Sequence, residues 1–315
     1  MESLSDLLRG MPGNWRSKVE EQARRVLADP EVAKFTAKHP ELGEAILKQN
    51  VPKLHQYAVE YRNCTACPGL SACPNDFPGH YTKLTVGMTD SGAVLYDAKV
   101  PCKKQLAHER QEMIRNKIRS FHADYAGLSE EYSLAEMMDR DPDREAAVHR
   151  IVQYIDRTEK EGLQKKGLYL VGKLGTGKTY LAGYVLQELA KSGFSGAIVY
   201  MPEFVEDLKN MIGDGERLAE TLEALKNADL LVLDDIGAEN LSPWVRDHVL
   251  GSILNYRMNR KPTVFTSNHT LDELEKHFSF TSRDGEEEYK GQRLMDRIRP
   301  YVEVVEVLGR NMRGA

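Results

Sequence analysis

Gly172-Lys173-Leu174-Gly175-Thr176-Gly177-Lys178-Thr179 is a complete G-x-x-x-x-G-K-[ST] run. It follows the apolar stretch Leu168-Tyr169-Leu170-Val171 and precedes a helical pattern over Tyr180–Lys191. The run therefore reads as a loop between a buried strand and a helix N-terminus, which is the setting phosphate chemistry needs. Gly172, Gly175 and Gly177 let the backbone curl, around Thr176, until successive N–H groups point at one phosphate, and the helix dipole adds positive potential there. Lys178 supplies a point charge to the β- and γ-phosphates, and the Thr179 hydroxyl is the expected Mg²⁺ ligand. The bland alternative, an ordinary glycine turn, does not account for the strand and helix on either side.

Working outward, Leu230-Leu231-Val232-Leu233 runs into Asp234-Asp235. Two adjacent carboxylates at the end of a buried strand are costly unless a metal or donors satisfy them. Beside a phosphate loop, Asp234 is placed to hold magnesium and Asp235 to orient or deprotonate a water. Thr263-Val264-Phe265-Thr266-Ser267-Asn268 ends another strand on an amide, which could touch the γ-phosphate or that water. Arg293 and Arg297 lie four apart on one helical face, where they could bind local acids or reach a neighbouring subunit's γ-phosphate as arginine fingers. Asn268-His269-Thr270-Leu271-Asp272 lacks the Asn-Lys-x-Asp spacing that reads guanine, so guanine specificity is not expected.

Apolar runs at 168–171, 197–201, 230–233, 263–266 and 302–307, with helical patterns between them, predict an α/β domain over 144–315 with a five-stranded parallel sheet. The crossover between the second and third strands, Phe204 to Lys226, reads as helical. The segment 103–143 is polar, with Lys103, Lys104, Arg110, Arg115, Lys117 and Arg119 ahead of an acidic stretch from Glu130 to Asp143. It reads as a charged linker whose charges solvate a helix face or, as the alternative, contact nucleic acid or a partner. Residues 1–102 read as a small domain of short, proline-punctuated helices followed by a hairpin around Asp90-Ser91-Gly92.

All four cysteines fall between Cys64 and Cys102 in a chain of 315 residues. Cys64 and Cys67 have C-x₂-C spacing, a helix precedes them, and a Pro/Gly loop follows. That setting disfavours a redox pair and favours a structural Zn²⁺. Cys102 closes the expected site, with His80 as fourth ligand and Cys73 as its alternative.

The net charge of −5 and pI ≈ 6.0 exclude a uniformly basic nucleic-acid coat but not a local basic track. No apolar run approaches a membrane span, and Met1 to Asp6 lacks a secretory n-region, so a cytoplasmic protein without a membrane partner is expected.

The ordered set of phosphate loop, Asp-Asp strand, Thr-Ser-Asn strand end and Arg293-Leu294-Met295-Asp296-Arg297-Ile298 resembles the AAA+ ATPases. Leu233-Asp234-Asp235-Ile236-Gly237-Ala238-Glu239 followed by Trp244-Val245-Arg246-Asp247 is similar, within them, to the bacterial helicase loaders of the DnaC/DnaI type and the transposition ATPase IstB. A cysteine-bearing domain before the ATPase makes the whole chain resemble the DnaI kind. The resemblance implies an ATP-dependent loader that delivers a hexameric replicative helicase onto single-stranded DNA, gripping the helicase through residues 1–102 and self-associating with ATP. Other implied readings are an IstB-like transposition ATPase and a nucleotide-sensing adaptor that hardly hydrolyses. Lys178, Thr179, Asp234, Asp235, Asn268 and one or both of Arg293 and Arg297 match the family's site positions. Asp235 stands where many members have Glu, with Glu239 as a possible helper, and Arg313 is a candidate in place of the lid arginine.

Overall fold

A computed structural model describes residues 15–90, 92–121, 133–211, 213–281 and 285–312. It divides into two compact units, Met1–Arg110 and Gln111–Ala315.

The first unit contains helices α1 (Trp15–Leu27), α2 (Pro30–Ala37), α3 (Glu44–Gln49) and α4 (Val51–Thr65). Its hairpin is formed by β1 (His80–Thr89) and β2 (Gly92–Pro101), ten residues each and paired along their whole length. Pro30 lies in the first turn of α2, where a missing N–H costs nothing, and Asp29 caps that turn through the Glu31 N–H. Val32, Leu54, Ala58, Leu84 and Leu95 bury together, so the helices close over one face of the hairpin. Glu60, 2% exposed, joins α4 to the hairpin through the Thr82 N–H and Lys99. Helix α5 (Lys103–Lys117) follows, and the division between the units falls within it.

The second unit is a six-stranded parallel sheet, not the expected five-stranded one. Its strands are β3 (Ile118–Phe121), β4 (Gly167–Val171), β5 (Gly196–Tyr200), β6 (Leu230–Asp234), β7 (Thr263–Ser267) and β10 (Val302–Glu306), in the order β10-β4-β7-β6-β5-β3. The sixth strand, β3, comes from the segment read as linker. It is four residues long with only Ile118 and Phe121 apolar, and as an edge strand it needs no continuous apolar run. Glu130 and Glu131 lie outside the described residues.

The α-helices are α6 (Leu134–Arg140), α7 (Glu145–Glu161), α8 (Lys178–Lys191), α9 (Met201–Met211), α10 (Gly215–Asn227), α11 (Gly251–Arg257, entered through a π-helical stretch, Val245–Leu250), α12 (Leu271–Ser279) and α13 (Glu288–Met295). A short pair, β8 (Phe280–Thr281) and β9 (Gly285–Glu286), precedes α13. Alternate strand residues feed two cores. Tyr169, Val199, Leu231, Leu233 and Phe265 face one, and Leu168, Leu170, Ile198, Val232 and Val264 face the other. Both faces being covered explains why these strands read as unbroken apolar runs. No helix among the described residues is long and apolar enough to cross a membrane.

Candidate nucleotide site

The carboxyl ends of β4, β6 and β7 converge on the phosphate loop. Gly177 occupies the N-cap of α8 at φ +102°, without a side-chain cap bond, so the loop leads straight into the positive end of a 14-residue helix. A Cβ on Gly172 would stand 2.3 Å from the Val307 carbonyl oxygen, so the loop leaves β4 flush against the end of the chain's last strand. Lys178, 7% exposed, donates from Nζ to the carbonyls of Gly172 and Lys173, both at 2.9 Å, and to Asn268 Oδ1 at 2.8 Å.

Thr179 Oγ1 donates to both oxygens of Asp234, at 2.9 and 3.2 Å. Thr266 links the acid pair, its hydroxyl donating to Asp234 Oδ1 at 2.6 Å and accepting the Asp235 N–H at 2.9 Å. Asp235 adopts φ +56°, the left-handed region, and its Oδ1 accepts from Asn268 Nδ2 at 3.2 Å. Lys178, Thr179, Asp234, Asp235 and Asn268, read separately from three stretches of sequence, thus form one hydrogen-bonded cluster. Thr179 and Asp234 are the pair that would hold magnesium, whose charge would neutralise phosphate oxygens.

Several contributors escaped the sequence reading. Thr266 and Ser267 were legible only as strand residues before Asn268. Arg144, 1% exposed, donates from Nε to the Thr176 carbonyl at 2.9 Å and from Nη2 to the Arg310 carbonyl at 2.6 Å. Asp141 accepts the Arg310 N–H at 2.8 Å, and that bond, with a second from the Asp143 N–H, holds its carboxyl below the usual range. The Met312 N–H reaches the Gly175 carbonyl at 2.9 Å. Residues 309–312 therefore strap the phosphate loop to the segment before α7. A cleft of about 300 Å³ lies there, lined by Arg140, Asp141, Arg144, Arg310, Asn311 and Met312. Arg313 lies outside the described residues.

Glu239 does not stand free as a helper for Asp235. Its carboxylate is fully buried, accepts the Gly237 N–H at 2.7 Å, and lies 3.1 Å from His277 Nε2. Arg293 and Arg297 are not brought to the loop either. They line a separate cleft of about 430 Å³ with His248, Asn255 and Lys290, where Arg297 bonds the Arg293 carbonyl and Asn255.

In the first unit, Cys64, Cys67, Cys73, His80 and Cys102 line one cavity of about 610 Å³. The expected zinc cluster of Cys64, Cys67, His80 and Cys102, with Cys73 in reserve, is not assembled in it. Among the described residues no three His, Cys, Asp or Glu side chains stand close enough to hold a metal ion. Three of the sulphurs accept hydrogen bonds from the chain's own N–H groups. Cys73 Sγ accepts from Gly79 and Cys102 Sγ from Gln105, both at 3.4 Å, and Cys64 Sγ accepts from Asn75 Nδ2 at 3.6 Å. His80 commits Nδ1 to the Pro78 carbonyl at 3.1 Å, and its ring lies 4.5 Å from that of Phe77.

The family described as "IstB-like ATP binding protein" matches residues 108–315, and "Primosomal protein DnaI N-terminus" matches residues 1–90. The replicative helicase loader DnaI of Bacillus subtilis is 33% identical over 317 residues, which is 99% of either chain. A crystal structure of DnaI, 36% identical, matches 61% of this chain and 98% of its own with a TM-score of 0.53. A putative primosome component from Streptococcus pyogenes, 31% identical, matches 64% of this chain and 99% of its own with a TM-score of 0.51.

Proposed function

The chain belongs to the family of DnaI-type replicative helicase loaders with an IstB-like ATP-binding domain, and from that premise we propose an ATP-switched loader that delivers a hexameric replicative helicase onto single-stranded DNA in the cytoplasm. The observation that carries this reading is the match to a loader along the whole chain, first unit included. A transposition ATPase reading accounts for the second unit alone.

At the nucleotide site, the uncapped start of α8 and Lys178 take the phosphates. The cleft between Arg140 and Met312 takes the rest of the nucleotide. Lys178 exchanges its bonds to the Gly172 and Lys173 carbonyls for phosphate oxygens. Asp235, held by Asn268, orients the attacking water and takes its proton, and Asn268 links the water's position to Lys178. Asp235 is one methylene shorter than a glutamate, which favours slow, regulatory turnover. Arg293 and Arg297 form the face that meets a neighbouring subunit's γ-phosphate, so turnover depends on ATP-driven self-association.

Loading of a replicative helicase onto single-stranded circles by the full chain tests this reading. Lys178→Ala and Arg297→Ala are each expected to abolish loading. If both variants load normally, ATP switching is not the mechanism.

Zinc belongs to this reading as a structural ion of the first unit. Its support is the chemistry of the donors: four thiols and His80 on one cavity, with N–H groups already directed at sulphur. About one zinc per purified chain is expected by elemental analysis, and a content near zero removes the ion from the reading.

A further inference from the structure

Glu239 is a fully buried carboxylate for which the phosphate chemistry has no use. A buried acid is costly unless donors satisfy it, and this one has two: the Gly237 N–H and His277. Both belong to the surroundings of Asp235. Gly237 ends the turn that presents Asp235, at φ +95°. His277 sits on α12, which begins three residues after Asn268.

The turn is also held by β7. The Ile236 N–H donates to the Thr266 carbonyl at 2.9 Å, and the Ile236 carbonyl accepts from Ser267 Oγ at 2.6 Å. The His269 ring lies so close to Gly237 that a Cβ there would stand 2.6 Å from it, and it stacks on His277 at 6.1 Å between centroids. Tyr169 fixes the His269 carbonyl from below at 2.7 Å. A left-handed φ at a non-glycine residue persists only where its surroundings hold it, and Asp235 is such a residue.

We propose that Glu239 is a positioning residue for ATP hydrolysis: with His277 it clamps the Asp235–Gly237 turn so that the Asp235 carboxylate faces Asn268. The inference rests on the reading that Asp235 handles the attacking water. Glu239 acts through the Gly237 backbone and touches neither nucleotide nor water. Its loss therefore lowers the chemical step and leaves nucleotide affinity in place, since Lys178 and the start of α8 do not depend on it.

The test is steady-state hydrolysis of Mg-ATP by the full chain, with equilibrium binding of a fluorescent ATP analogue measured alongside. Asp235→Asn is expected to lower kcat about 100-fold. Glu239→Ala is expected to lower kcat about tenfold with Kd within about threefold, the pattern of a displaced catalytic group. Glu239→Gln, which still offers an acceptor to the Gly237 N–H, recovers most of the loss, and His277→Gln outperforms His277→Ala. Should Glu239→Ala fail to fold, the two His277 variants carry the same test at a side chain 24% exposed. If Asp235→Asn lowers kcat while the Glu239 or His277 variants stay within about twofold of the native chain, or lose nucleotide affinity instead, the positioning role is overturned. If Asp235→Asn itself retains kcat, the reading of Asp235 fails first and the clamp falls with it.

Discussion

Lys178 and Arg257 are both withdrawn from solvent, at 7% and 1% exposed, and both bond main-chain carbonyls at opposite ends of one parallel sheet. At the amino ends, Arg257 gathers the carbonyls of Leu225, Lys226, Ala228, Asp229 and Pro262, together with the Thr263 hydroxyl. It thereby ties the close of α10 to the starts of β6 and β7. At the carboxyl ends, Lys178 holds two loop carbonyls and one side-chain amide beside the exposed residue Lys173. The guanidinium is saturated by a fork-shaped set of acceptors that nothing else competes for. The ammonium is a point charge whose acceptors can turn to water. A buried charge that builds the sheet spends all its donors inside, whereas one that serves a ligand keeps partners it can exchange.

The largest effect follows at Arg257. Burial pulls its guanidinium down to about 10, still charged at neutral pH. Arg257→Leu leaves several buried carbonyls unpaired and is expected to cost about 3–5 kcal/mol, read from the urea midpoint of the ATPase unit. ATP affinity of the folded fraction should stay within about twofold. Arg257→Lys should recover little, because an ammonium offers three donors without the planar fork. A loss below about 1 kcal/mol would erase the architectural half of the contrast.

Next comes Lys178→Ala. The expected outcome is a Kd for ATP raised about 100-fold, equivalent to about 2.7 kcal/mol, by titration calorimetry. Nucleotide-free stability should change by under about 1 kcal/mol, since water can satisfy the freed carbonyls at the loop edge. Destabilisation as large as that of Arg257→Leu would show that the two cations do the same work.

The contrast also explains what the sequence made legible. The phosphate loop, Asp234-Asp235 and Asn268 each sit at the end of an apolar run, so a local pattern marks them as strand-end polar groups, and one sheet brings the strand ends together. Arg257 closes a helix in a charged stretch, Tyr256 to Lys261, and four of its acceptors, Leu225, Lys226, Ala228 and Asp229, lie about thirty residues back in sequence. Nothing local distinguishes it from a solvated arginine. Arg144 and residues 309–312 were hidden for the same reason, since their partner is the loop itself, across more than 130 residues for the tail. The edge strand Ile118–Phe121 was missed because it lies in a basic run and buries little. The four cysteines and His80 line one cavity, but spacing carries no information about which atoms face each other, and no ligand cluster follows among the described residues.

A third buried ion tests the contrast at its weak end. Glu60 is 3% exposed, but its partner Lys99 is 32% exposed in its side chain, so one member of the pair remains in water. Burial alone would raise the Glu60 carboxyl, yet the bonds from Lys99 and the Thr82 N–H outweigh it and the pKa is lowered from 4.5. A carboxyl lowered on folding contributes stability that is fully present above its unfolded value and lost as pH falls through the folded one. Hydrogen-exchange protection of the β1–β2 amides should therefore hold above about pH 4.5 and decline below it. Glu60→Gln should lower that protection at neutral pH by only about 1–2 kcal/mol, because Lys99 rehydrates, and should flatten the acid decline. A decline of the same slope in native and variant chains would assign it to other carboxylates. A loss rivalling that of Arg257 would mean that exposure of one partner does not set the cost of breaking a buried charge.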